Sequence, residues 1–145
     1  MKTLIVGFGS PFGDDQLGWQ LIDDLASRHS ASHLTFYKSK GNGCDWFHEL
    51  ANHQQLVILD AALSEKPAGN IIEMTVNDLK NIPSHFFCST HSISLQDSLA
   101  LATNIGVLNI PVRILAISIG NKEIAANSNW LTSQTAYSIL KAFEN

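Results

Sequence analysis

Short runs that are almost continuously apolar constrain the fold of this chain most strongly. Three such runs lie at Thr3–Phe8, 56–59 and 112–119. A strand that is apolar on both faces is buried on both faces, which is typical of a parallel sheet with helices packed on each side. Because segments with helical periodicity separate these runs, we predict one domain over residues 1–145 with a three-layer α/β/α architecture.

The rest of the chain is assigned to two further strands and four helices. The strands are predicted at 33–37 and 71–76, and the helices at 15–27, 44–52, 91–105 and 129–143. Ser89 or Thr90 is placed to cap the helix at 91–105, since short polar side chains accept hydrogen bonds from free helix N–H groups. The link between the third and fourth strands holds no clear helix, so the fourth strand is predicted to run antiparallel at a sheet edge.

Composition argues against several classes of protein. Hydrophobic residues make up 45% of the 145 residues and charged residues 15%, which is the balance of a folded domain and not of a disordered chain. The net charge of −4 gives no basis for binding nucleic acid, whose phosphates require a basic surface. Cys44 and Cys88 form no CxxC pair, so we expect neither a zinc site nor a disulfide framework. Finding no signal peptide or membrane span, we expect a cytoplasmic protein that binds no membrane.

Three side chains near predicted strand ends or helix starts could carry chemistry: Asp15, Asp60 and His91. Sites in parallel α/β sheets form outside the carboxyl ends of the strands. A carboxylate at the end of a buried strand is costly to desolvate unless it is paired or bound to a metal, although Asp60 could equally open a turn. His91 could be an ordinary surface or capping histidine, and Asp14 could simply cap the first helix.

The sheet order decides whether these side chains meet. If Asp15, Asp60 and His91 converge on one cleft, two carboxylates and one imidazole form a partly open site that suits a divalent metal. The long spacing between the three residues does not by itself establish that convergence.

The first glycine loop supports a second interpretation. Gly7, Gly9 and Gly13 approximate the GxGxxG fingerprint of dinucleotide-binding proteins, but the third glycine stands one residue late. Asp14 and Asp15 at the start of the following helix would repel the pyrophosphate that this fingerprint normally receives. A nucleotide-binding α/β domain, with ADP or NAD bound at this loop, stays open as an alternative.

Several motifs occur in the same order as in a known family. They are the GFGS turn at 7–10, Asp14 and Asp15 ahead of Gly18, the GNG loop at 41–43, Asp60 followed by Ala61, and His91 ahead of a leucine-containing helix. In these motifs the chain resembles the hydrogenase maturation endopeptidases, which remove the C-terminal extension from the large subunit of nickel–iron hydrogenases. Ser10 stands where the family usually has Asn, and Asp15 where it often has Glu.

The resemblance implies a twisted five-stranded sheet between helices, and it assigns metal contact and catalysis to Asp15, Asp60 and His91. The nickel is expected to belong to the large-subunit precursor, the protein partner, so that the enzyme senses metal loading before it cuts. Another divalent metal could occupy the site in vitro, and we expect a monomer. The metal either acts on the scissile carbonyl or a water, or it only positions the substrate for a carboxylate base. The alternative within this fold is a diverged module that binds metal or another ligand without cleaving.

Overall fold

The computed structural model describes residues 1–9, 16–28, 32–40, 42–83, 86–87, 93–120 and 138–139. Within these residues five strands form one sheet: β1 (Thr3–Phe8), β2 (Leu34–Ser39), β3 (Gln55–Ala62), β4 (Ile71–Met74) and β5 (Val112–Ser118). The helices are α1 (Gln16–Arg28), α2 (Leu95–Asn104) and two short 3-10 helices, Phe47–Leu50 and Asn77–Asn81.

The sheet has the strand order β2-β1-β3-β5-β4 and is parallel except at one edge. β1 pairs in parallel with β2 and β3, and β3 pairs in parallel with β5. β4 lies antiparallel to β5, as predicted, because the short link from β3 to β4 contains no crossover helix. The expected α/β class and the mostly parallel five-stranded sheet are confirmed.

Each face of the sheet has its own apolar cluster, since successive side chains of a strand point to opposite faces. On one face, Leu21 of α1 shares a buried cluster with Ile5 of β1. On the other face, Leu99 of α2 shares a buried cluster with Phe8 and Trp46. The two helices therefore cover opposite faces, and the predicted three layers are present.

α1 packs against β1 through two glycines of the sequence motifs. A Cβ atom built on Gly18 would overlap the backbone carbonyl oxygen of Phe8, and one built on Gly7 would meet both the Gly18 carbonyl oxygen and the side chain of Ile22. Only bare backbone at both positions allows this close approach. Gly7 and Gly18 thus have a packing role that requires no bound phosphate.

The predicted helix at 44–52 is reduced to the 3-10 helix Phe47–Leu50. The Asn42 side chain accepts a hydrogen bond from the backbone N–H of Cys44 at 2.9 Å. Gly43 adopts a φ of 82°, which is outside the helical region. These turns delay the start of helical structure, although Trp46 and Leu50 are buried as predicted.

The helix predicted at 91–105 begins later than expected, since Ile93 and Ser94 are not helical; His91 itself lies outside the described residues. α2 begins at Leu95, and Ser94 caps it by accepting a hydrogen bond from the backbone N–H of Asp97 at 3.1 Å. Ser94 and Asp97 stand three residues apart, as in a capping box. That local signal supersedes Ser89 and Thr90 as the predicted cap.

Two further boundaries bear on the site. β3 continues to Ala62, so Asp60 lies inside the strand and not after it. Ser138 and Ile139 are helical, and Ile139 is buried on the α1 face, but the rest of the predicted helix at 129–143 lies outside the described residues. Among the helices of the described segments, none combines the length and the apolar character needed to cross a bilayer.

Candidate active site

The four parallel strands all end along the same side of the sheet. This line of C-terminal strand ends, which is distinct from the edge strands β2 and β4, is called here the carboxyl edge. α1 follows β1 in the chain and begins at this edge. α2 leads into β5, so its N-terminal end lies at the carboxyl edge and its C-terminal end lies at the opposite one. Both helix starts that the sequence associates with a ligand are therefore directed toward the same edge.

Asp60 is the one predicted site residue within the described part of the chain. It is 1% exposed and lies opposite Ala116 of β5. It also lies one residue beyond the Gly7–Leu59 pair, which puts it level with Phe8 of β1. The alternation along β3 places the Asp60 side chain on the α2 face, since its neighbours Leu59 and Ala61 belong to the cluster on the α1 face.

Burial of this carboxylate is informative because an ionised acid loses much of its hydration in such a position. An aspartate that merely opened a turn would lie in water after the strand, and that alternative is wrong for Asp60. The side chain occupies a central strand, near its carboxyl end, where α/β proteins place their ligand-binding groups.

Asp15 and His91 lie outside the described residues, so their predicted convergence with Asp60 stays a prediction. The flanking elements are described. α1 begins at Gln16, immediately after Asp15 in the chain, and α2 begins at Leu95. Among the described residues no group of three His, Cys, Asp or Glu side chains could hold a metal. Of the three predicted ligands, those residues include Asp60 alone.

The start of α2 is fixed to the loop that follows β2, at residues 42–46 and hereafter the 42–46 loop. The hydroxyl of Ser98 donates a buried hydrogen bond to the Gly43 carbonyl oxygen at 2.6 Å. The indole N–H of Trp46 donates to the same oxygen at 2.8 Å. Trp46 in turn packs on Phe8, with 6.4 Å between ring centroids. The first turns of α2 therefore lie on the face of the sheet to which Asp60 points.

Asp45 is a residue whose role sequence reasoning missed. Its carboxylate accepts hydrogen bonds from the Ser39 hydroxyl at 2.8 Å and from the Lys40 backbone N–H at 2.7 Å. It also accepts from the Tyr37 hydroxyl at 3.2 Å. Burial, followed by the charge of Asp45 and its hydrogen bond, raises the pKa of Tyr37. The available signal was an acidic residue just after a GNG turn, with polar residues at the end of the preceding strand.

Ser118 likewise holds a loop in place at the end of β5, and sequence reasoning also missed this role. Its buried hydroxyl donates to the Lys66 carbonyl oxygen at 2.8 Å and lies 3.0 Å from the Ser64 hydroxyl. The Gly120 backbone N–H donates to the same Ser118 oxygen at 3.1 Å. These contacts hold the loop after β3 against the end of β5. Ser118 pairs with Ala62, which lies two residues after Asp60 on β3.

The fold defined by these elements is that of hydrogenase maturation proteases of known structure. The [NiFe] hydrogenase maturation protease HycI from Thermococcus kodakarensis matches with a TM-score of 0.72 and 17% identity, over 99% of this chain and 93% of that one. HybD from Thermococcus kodakarensis matches with a TM-score of 0.70 and 18% identity, over 100% of both chains. The hydrogenase maturating endopeptidase HybD from E. coli matches with a TM-score of 0.67 and 20% identity, over 99% and 92%.

Those identities show the fold alone, and the sequence adds the family. The family model of HycI, the hydrogenase maturation protease, matches residues 41–145. The chain therefore belongs to the hydrogenase maturation protease family of peptide-bond hydrolases, as the resemblance indicated. The matched range contains Asp60 and His91, whereas Asp15 precedes it. No curated protein matches the chain in sequence.

Proposed function

We propose that this protein removes the C-terminal extension of a nickel-loaded [NiFe] hydrogenase large-subunit precursor. Membership of the hydrogenase maturation protease family supports the reaction class. The observation that best supports the proposed site is the burial of the Asp60 carboxylate near the carboxyl end of a central parallel strand. The precursor is the proposed protein partner, and its nickel is substrate and not a resident cofactor.

Asp15, Asp60 and His91 are the proposed ligands that recognise this nickel. Two carboxylates and one imidazole leave coordination positions for groups of the precursor, which is what a sensor of metal loading requires. Recognition of the metal would fix the precursor against the carboxyl edge, so that one carboxylate can serve as the base for an attacking water. Burial of Asp60 among apolar neighbours would strengthen its interaction with a cation.

The test is cleavage of the organism's own large-subunit precursor by the purified protein, followed by intact-mass spectrometry. The precursor is supplied with and without nickel. Asp15→Ala, Asp60→Ala and His91→Ala are compared with Asp78→Ala, a carboxylate in the 3-10 helix Asn77–Asn81. That helix follows the antiparallel β4 and so lies at the edge opposite the carboxyl edge.

We expect the parent and Asp78→Ala to trim only the nickel-loaded precursor, and each of the other three variants to leave it intact. Equal trimming of the metal-free precursor would overturn the nickel-sensing part of the proposal. Normal trimming by Asp60→Ala would overturn the site. A parent protein that binds nickel but never trims the precursor would favour the non-catalytic module of the same fold.

A further inference from the structure

We propose that Asp45 is a positioning residue that holds the 42–46 loop in place and, through Trp46 and Phe8, keeps the surroundings of Asp60 in order. The inference rests on the proposed function, because its consequence is measured on cleavage. Asp45 is not proposed to touch the nickel or the scissile bond.

The Asp45 carboxylate is fully engaged in ordering the chain around it. One oxygen accepts from the Ser39 hydroxyl at 2.8 Å, and the other accepts from the Lys40 backbone N–H at 2.7 Å and from the Tyr37 hydroxyl at 3.2 Å. These three donors come from the last residues of β2 and the residue after it. The carboxylate therefore ties the 42–46 loop back onto the strand that it has just left.

The end of β2 and the 42–46 loop together contact the two helices that cover opposite faces of the sheet. On the α1 side, the indole N–H of Trp19 donates to the Ser39 carbonyl oxygen at 3.0 Å. On the α2 side, the Ser98 hydroxyl donates to the Gly43 carbonyl oxygen at 2.6 Å. Asp45 binds the Ser39 hydroxyl and is joined to Gly43 by the backbone of the loop. Hydrogen bonds at Ser39 and Gly43, linked by Asp45 and the loop backbone, thus connect α1 to α2.

Displacement of this loop would reach Asp60 through two aromatic rings. Trp46 adjoins Asp45 in the chain, is fully buried, and packs on Phe8. Phe8 in turn lies level with Asp60 on the neighbouring strand, as the register of Gly7 with Leu59 requires. Because buried side chains are close-packed, a shift of Trp46 is transmitted to its neighbours and not absorbed by empty space.

Two substitutions of Asp45 distinguish a positioning role of its side chain from a role of its negative charge. Asp45→Ala removes the acceptor of the Ser39 hydroxyl and of the Lys40 N–H and so releases the loop, whereas the Tyr37 hydroxyl keeps the backbone carbonyl oxygen of residue 45 at 3.2 Å. Asp45→Asn keeps a carbonyl oxygen for the Lys40 N–H and offers its amide to the Ser39 hydroxyl, which can turn to accept. A positioning role therefore predicts a large effect of Ala and substantial rescue by Asn.

The matched control is Asp78→Ala. The Asp78 carboxylate accepts from the Thr75 backbone N–H at 2.9 Å and so also orders a short loop, but at the opposite edge of the sheet. All variants are assayed for kcat and KM on the nickel-loaded precursor, well below their melting temperatures. Amide hydrogen exchange of residues 42–46 is followed on the same samples.

For Asp45→Ala we expect faster exchange in the 42–46 loop and a fall of about tenfold or more in kcat/KM, carried mainly by kcat, because small misplacements of reacting groups cost large rate factors. Asp45→Asn should recover most of the rate, and Asp78→Ala should keep the parent kcat/KM. Faster loop exchange in Asp45→Ala with the parent kcat/KM would overturn the inference and leave the proposed function intact. An inactive parent would overturn the proposed function, and this inference with it.

Discussion

Gly18→Ala directly tests the close packing of α1 on β1. The added methyl group has two opposing effects on the free energy of unfolding. Alanine is favoured over glycine by about 1 kcal/mol within a helix, so propensity alone predicts a more stable protein. Here the added Cβ would overlap the backbone carbonyl oxygen of Phe8. A backbone atom of a central strand cannot rotate away as a flexible side chain can.

The steric effect should win. Overpacking of this kind costs roughly 1–3 kcal/mol, and contact with backbone places Gly18→Ala near the upper end. After the gain in propensity, the expected loss in the free energy of unfolding is about 1–2 kcal/mol, which corresponds to a melting temperature lower by roughly 2–8 °C for a domain of this size.

Thermal and urea unfolding of the purified variants measure this difference. Ala26→Gly is the control, because Ala26 is exposed on the same helix and reports propensity without a clash. It should lose about 1 kcal/mol. A Gly18→Ala protein that melts at a higher temperature than the parent would refute the close contact between α1 and β1.

Three further predictions concern named polar contacts. Arg113 lowers the pKa of Glu73 through a hydrogen bond, so the stabilisation exists above the unfolded pKa of Glu73 and is lost as the pH falls through the folded value. Glu73→Gln should therefore lower stability by at most about 0.5 kcal/mol at neutral pH, as for other partly exposed pairs, and by nothing in strong acid, as urea unfolding at both pH values will show. The pKa of Tyr37 is raised, first by burial and then by Asp45. The contribution of Tyr37 to stability is therefore complete below its unfolded pKa and is lost as the pH rises through its folded pKa. Ultraviolet titration should show Tyr37 ionising at lower pH in Asp45→Asn, and an unchanged curve would contradict the contact. Ser98→Ala leaves the buried Gly43 carbonyl with one donor instead of two, so calorimetry should show a loss of about 1–2 kcal/mol, and an unchanged melting temperature would argue against this anchor.

The architecture was predictable because burial on both faces imposes a visible pattern. The apolar run Thr3–Phe8 coincides with β1 in the structure, and the four helical positions of Leu17, Leu21, Ile22 and Leu25 are all buried, as their periodicity predicts. The antiparallel β4 followed from the length of a link with no helix. These features depend on periodicity and chain length, which a sequence displays directly.

Boundaries and polar networks were less predictable because they depend on local competition and on distant partners. The predicted helix at 44–52 was too long because a left-handed Gly43 and the Asn42 side chain favour turns. The role of Asp45 requires the end of β2 to lie beside the 42–46 loop, which no spacing rule supplies. For the candidate site, the burial of Asp60 is established, whereas Asp15 and His91 depend on the family resemblance and on experiment.

Binding of Cd²⁺ to the purified protein, measured by isothermal titration calorimetry, tests most directly whether one ion joins three distant side chains. Asp15→Ala, Asp60→Ala and His91→Ala should each weaken binding by about tenfold or more, because each removes one ligand of the same ion. Asp78→Ala should bind as the parent does. Parent-like binding by any one of the three single variants would show that its side chain does not belong to the site.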